Sequence, residues 1–124
     1  MANELSITLK LACTNGKFSN TLNPTGLTYN QSAQGASSGV WNIGTSEEDF
    51  ATGDVLAANQ GWIGLQNLDP TNYFEYGPKS GGAMVAFGKV KAGEVALFRL
   101  DPSIVMRAKA NVAAVNVQYL LLQD

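Results

Sequence analysis

The stretch GAMVAFGKVKAGEVALFRLDPSIVMRAKANVAAVNVQYLLLQD, Gly82 to Asp124, decides the fold. Ala83 to Phe87 reads as a strand. Lys91-Ala92-Gly93-Glu94 is a tight connection into Val95 to Leu100, so 83–100 is expected to form a hairpin. Asp101-Pro102-Ser103 turns the chain. Ile104, Met106, Ala108 and Ala110 then alternate with Val105, Arg107 and Lys109, which predicts a strand with the first set facing the core. Ala113 to Leu122 is a last strand, with Val115, Val117, Tyr119 and Leu121 on one face. Its other face carries Asn116, Gln118, Leu120 and Leu122, beginning polar and ending apolar.

The same period of two recurs upstream. Leu5, Ile7, Leu9 and Leu11 alternate with Ser6, Thr8, Lys10 and Ala12, which predicts a strand with one buried face. Asn15-Gly16 is a turn signal. Residues 14–39 are rich in Ser, Asn, Thr, Gln and Gly, with Leu27 and Tyr29 marking one short strand. The rest of that segment is expected to be a long loop or an extended arm that orders on a partner. Val40, Trp41 and Ile43 form a short strand, and Phe50 turns inward from the polar connection 45–53. Residues 55–59 fit either one helical turn or a strand. Gly61 to Leu68 is a strand whose glycines suggest a bulge or a close backbone approach. Asp69-Pro70-Thr71-Asn72 turns it towards Tyr73–Tyr76 as its expected partner. Gly77 to Gly82 reads as a surface loop. No window supports a helix of ten residues, and strands recur with turn residues between them. The expected fold is all-β: one antiparallel β-sandwich or jelly-roll-like domain over 1–124, with a polar, loop-rich N-terminal segment.

Composition narrows function. Charged residues make up 15% of the 124 residues, against about 25% for an average domain, so the surface is polar but weakly charged. The net charge of −2 is spread without a basic stripe, which argues against a nucleic-acid partner. No apolar run approaches a membrane span, so no membrane partner is expected. Met1-Ala2-Asn3-Glu4 lacks the features of a secretion signal, and a chain made in a cytoplasm, which stays there unless a larger particle carries it out, is expected. Cys13 is the only cysteine; an intrachain disulfide is impossible, and a small buried thiol is expected.

Chemistry is hard to assemble from these residues. With no histidine, neither Ser-His-Asp nor Cys-His arrangements exist. Glu75, between Tyr73 and Tyr76, is the one carboxylate with a recessed setting, and the pattern puts no second acid beside it. Glu47, Glu48, Asp49 and Asp54 supply oxygens that calcium would accept, but their spacing matches no binding loop. An enzyme is not expected, nor a cofactor, nor a metal. Trp41, Trp62 and Tyr73, with Tyr76, offer flat faces for sugar rings, or else pack in the core. Leu120 and Leu122, in line on an otherwise polar face, mark an interface or lie beneath the chain's own polar segment, with Leu27 and Tyr29 as further interface candidates.

The stretch Phe87 to Pro102, followed by Met106-Arg107-Ala108-Lys109-Ala110-Asn111 and preceded by Asn67-Leu68-Asp69-Pro70-Thr71-Asn72-Tyr73, resembles small structural proteins of tailed bacteriophages. The resemblance covers roughly residues 61–124. It implies a place in the virion, most naturally as a capsid decoration (cement) protein on the major capsid protein. It also implies a homo-oligomer, with a trimer favoured, and transfers no catalytic residue. A tail, baseplate or fibre module and a carbohydrate-binding β-sandwich are the alternatives.

Overall fold

A computed structural model describes residues 3–124. The chain divides into two compact units, Met1–Ser32 and Ala33–Asp124. In the first unit, β1 (Leu5–Ser6), β2 (Leu11–Asn15), β3 (Phe18–Leu22) and β4 (Thr28–Tyr29) form two separate antiparallel pairs, β1 with β4 and β2 with β3. The second unit holds β5 (Ala36–Ile43), β6 (Glu48–Asp49), β7 (Gln60–Asn67), β8 (Phe74–Ser80), β9 (Ala83–Met84), β10 (Gly88–Val90), β11 (Val95–Arg99), β12 (Met106–Ala110) and β13 (Val115–Gln123).

Those strands form two antiparallel layers. The first has the order β11-β7-β13-β5, and the second β10-β8-β12-β6, with the short β9 also on β8. Ile43, Ile63, Leu65, Val115, Val117 and Leu121 from the first layer meet Phe74, Val90, Met106, Ala108 and Ala110 from the second in one buried cluster. The alternation read from the last strand holds here: Val115, Val117 and Leu121 are fully buried, while Asn116, Gln118 and Leu120 are exposed.

The layers are one long hairpin, rolled. β5 pairs with β13, β6 with β12, β7 with β11 and β8 with β10. All four pairings are centred near the turn Ser80-Gly81-Gly82-Ala83. Gly81 and Gly82 both have positive φ, +62° and +86°. This is the twisted two-residue turn that suits paired strands and that glycine adopts without strain. Successive strands on each arm alternate between layers, which gives the topology of an eight-stranded jelly roll.

That topology corrects several local expectations. The segment 83–100 is not a hairpin: β10 lies in one layer and β11 in the other, so Lys91–Glu94 is a corner between layers. Tyr73–Tyr76 likewise does not pair with Gly61–Leu68; the Asp69–Asn72 turn carries the chain across the core. The segment 77–82 is mostly strand, since β8 runs to Ser80. Ile104 is 41% exposed and lies outside the last-but-one strand. The ambiguous 55–59 segment contains a 3-10 turn at Ala57–Asn59. The N-terminal strand is only two residues long, and Leu9 and Leu11 are exposed rather than buried. Part of the expected loop is a hairpin, β2 with β3, turning at Gly16. Cys13 sits on that hairpin and is exposed. Periodicity promised a buried face over 5–11; Leu5 alone of its four leucine and isoleucine positions is buried, Ile7 is half-buried, and Leu9 and Leu11 are exposed.

Two buried amides fix the corners. Asn67 donates from Nδ2 to the carbonyls of Asn72 and Val90 and accepts the Asp69 amide on Oδ1. Gln60, only 2% exposed, donates from Nε2 to the carbonyls of Asp101 and Ile104. Gln60→Ala is expected to cost about 1–3 kcal/mol, because a buried amide that ties two carbonyls of the 101–104 turn is lost and the Asp101 carbonyl keeps only the Ile104 amide. Chemical denaturation checks this; an unchanged midpoint contradicts it.

Candidate functional site: the outer face and edges of the first layer

β7 sits between β11 and β13, and its outward residues fix what this face can do. Gly64 lies opposite Leu97 on one side and Leu120 on the other, and Leu120 lies opposite Ser38 of β5. With no side chain at Gly64, a shallow groove of about 520 Å³ runs between Leu97 and Leu120, also lined by Ser38, Gln66, Val95 and Gln118. Val95, Leu97, Leu120 and Val40 are exposed by 69, 42, 47 and 59%. No residue lining the groove is charged. Leu120 was singled out from sequence, and Leu122 accompanies it, half-buried on the same face. Val95, Leu97 and Val40 were not singled out, because their alignment depends on which strands are neighbours. Tyr29 is exposed and Leu27 half-buried, both in the first unit.

A second, deeper cleft of about 800 Å³ opens between the edge strands β10 and β11. Tyr76 stacks on Phe98 there, centroids 5.4 Å apart and 3° from parallel. Burial pushes the Tyr76 phenol up from its ordinary value of 10.0. Phe87, on the rim, is 84% exposed.

The sugar-stacking candidates do not share a platform. Trp41 packs at the edge of the core, 5.2 Å from Phe50, and donates from Nε1 to Glu48 Oε1 at 2.7 Å. Trp62 lies under the Arg99 guanidinium. Tyr73 lies under Lys89, whose Nζ is 4.4 Å from the ring centroid. Trp62 is on the first layer, whereas Tyr73 precedes a strand of the second.

Glu47, Glu48 and Asp49 are engaged by the protein's own groups. Glu75 lies opposite Lys89 and Lys109 on the two flanking strands, a favourable cross-strand charge arrangement. Glu48 also accepts the Gly44 amide. Arg107 donates to Asp49 at 2.7 Å, to Glu47 at 3.1 Å and to the Gly82 carbonyl at 2.9 Å. This ties the β6 edge to the central turn. No group of three or more His, Cys, Asp or Glu placed to hold a metal occurs among the described residues. No helix among them is long and apolar enough to cross a membrane.

Three carboxyls of the second unit are held below their ordinary values. The Met84 amide and then Arg107 lower Glu47; Arg107 and then Lys79 lower Asp49; the Asn72 and Thr71 amides lower Asp69. A depressed folded-state pKa means the folded chain binds fewer protons than the unfolded chain. The contribution is full above the ordinary values of 4.5 and 3.8 and is lost as pH falls through the lower folded values. The urea midpoint is therefore expected to be level above the carboxylate range and to drop in acid. The drop is modest, because these groups are solvent-exposed. A midpoint that rises in acid contradicts this.

No protein-family model matches the sequence, and no curated protein matches it. Among solved structures, one similar chain comes from the work "Bacillus endospore appendages form a novel family of disulfide-linked pili". It is 12% identical, covers 73% of this chain and 87% of that chain, and superposes with a TM-score of 0.48. Likeness at that level carries nothing about this chain's role.

Proposed function

We propose that the chain is a non-enzymatic structural protein of a phage virion, a decoration protein that binds the assembled major-capsid shell and braces it. The observation that carries this reading is an uncharged outer sheet face on which Leu97 and Leu120 flank Gly64, with Val95 and Val40 exposed at its two edges beyond Gln66 and Gln118. Exposed apolar side chains on a face with no charge are costly to leave in water and suit an association surface. The jelly roll is a fold used by viral capsid proteins, an argument by analogy of fold alone. The resemblance of residues 61–124 to phage structural proteins points the same way. The β2–β3 hairpin adds to it: Leu11, Phe18 and Leu22 are 67, 59 and 57% exposed. A two-stranded hairpin is marginal in water and gains order by docking, which suits an arm laid on the shell.

Mechanically, a protein that binds the closed shell and not its dissociated subunits stabilises the shell by mass action. Virions that lack this chain are expected to lose genome at lower temperature and under milder osmotic shock. Equal resistance with and without it contradicts the role. Labelling of intact particles separates the shell from the tail, where a baseplate or fibre module would sit.

A further inference from the structure

The two outermost strands of the first layer are unpaired on their outer sides among the described residues. Their hydrogen-bond phase shows which groups are left over. Asn67 donates to the Glu94 carbonyl at 3.0 Å, and Leu100 donates to the Gly61 carbonyl at 2.9 Å. In an antiparallel ladder, bonded and non-bonded residues alternate. Residues 94, 96, 98 and 100 therefore face β7, and the amides and carbonyls of Val95, Leu97 and Arg99 face outward. On the opposite edge, Gln123 donates to the Gly35 carbonyl at 2.8 Å. The same alternation turns the backbone groups of Ala36, Ser38, Val40 and Asn42 outward from β5.

Edge strands of soluble proteins are usually shielded by an inward charge, a proline, a bulge or a cover. β11, Val-Ala-Leu-Phe-Arg, has no proline and one charge, at its end. β5, Ala-Ser-Ser-Gly-Val-Trp-Asn-Ile, has neither a proline nor a charge. Because the layer contains four antiparallel strands, β11 and β5 run in opposite directions. A second copy in the same orientation thus brings its β5 antiparallel to the first copy's β11.

Charge favours that pairing over a symmetrical one. The β10–β11 side carries Lys89, Lys91 and Arg99 against Glu94 alone between 88 and 99. The β5–β6 side carries Glu47, Glu48 and Asp49 and no basic residue between 36 and 49. Arg107, Lys79 and Asp124 offset part of each. The remaining difference sets orientation more than strength. Joining like sides would set Lys89, Lys91 and Arg99 against their own copies.

We propose that copies of this chain associate head to tail, with β11 of one extending its sheet onto β5 of the next. Such a heterologous contact closes into a ring, a trimer included, or continues as a fibre. This goes beyond the virion role. A chain that binds shells as a monomer would keep that role and lose this contact.

Paired proline variants test it. Leu97→Pro removes one outward amide of β11, and Val40→Pro one outward amide of β5. Neither amide belongs to the ladders within the chain. By sedimentation velocity, the wild type is expected to form species larger than a dimer. Each variant alone is expected to be a monomer with the wild-type near-ultraviolet spectrum. Mixed, they should give a one-to-one dimer that grows no further, since each supplies the edge the other has lost. If a proline variant loses the folded spectrum, Leu97→Lys and Val40→Lys replace the pair. A monomeric wild type, an assembly indifferent to either variant, a largest species that is a dimer, or a mixture that stays monomeric overturns the proposal.

Discussion

Replacing Phe74 with alanine is expected to lower the unfolding free energy by about 3–5 kcal/mol, the range for a buried phenylalanine. Phe74 is fully buried. It lies in the middle of the second layer, opposite Val90 on one side and Ala110 on the other. Ala108 and Ala110 are also fully buried, and small residues beside a large ring leave the room that the ring fills. Neither methyl group reaches into the space a truncated side chain leaves. The strands are held by ladders on both sides, so they do not close in. Small domains carry only about 5–15 kcal/mol in total, so the variant should stand near the edge of folding. A loss under about 1 kcal/mol would show that the site relaxes in a way a close-packed core does not allow.

Gly77→Ala is the second large effect. Gly77 is a buried position of β8, and a Cβ there would run into the Val85 carbonyl and the Phe87 amide. Both are backbone atoms, so no side chain can swing aside. The Phe87 amide also bonds to the Tyr76 carbonyl at 2.8 Å, which pins that segment over Gly77. Accommodation requires the chain after the central turn to lift, and shifts of this kind cost about 1–3 kcal/mol. Gly64→Ala is the control. Its Cβ would find only Leu97 Cδ1, at 4.0 Å, so its midpoint should stay within about 0.5 kcal/mol of wild type, the range for harmless surface changes. Equal effects at the two glycines would contradict the close approach.

The contrast between the chain's two parts explains what the sequence disclosed. In β12 and β13 the alternation named the buried face correctly: Met106, Ala108, Ala110, Val115, Val117 and Leu121. Phe50 also turned inward, 7% exposed. Pairing was misread at both places where a turn joined neighbouring strands. Asp69–Asn72 and Lys91–Glu94 have the chemistry of tight turns, and local chemistry does not distinguish a hairpin from a corner between layers. The true pairings join residues from about a dozen to several tens of positions apart around Gly81-Gly82, across intervening turns and strands. The N-terminal alternation failed for a related reason. A period of two states that a strand has two unlike faces, and another layer must still arrive to cover one of them. Leu120 was visible as an interface candidate because it interrupts a polar face. Val95, Leu97 and Val40 join it only after β11, β7, β13 and β5 are set side by side.

The most direct test is sedimentation of the purified chain with empty capsid shells, beside the same chain with unassembled major capsid protein. The account predicts saturable co-sedimentation with shells and none with the free subunits. A chain left in the supernatant by shells, or bound equally by loose subunits, would contradict it.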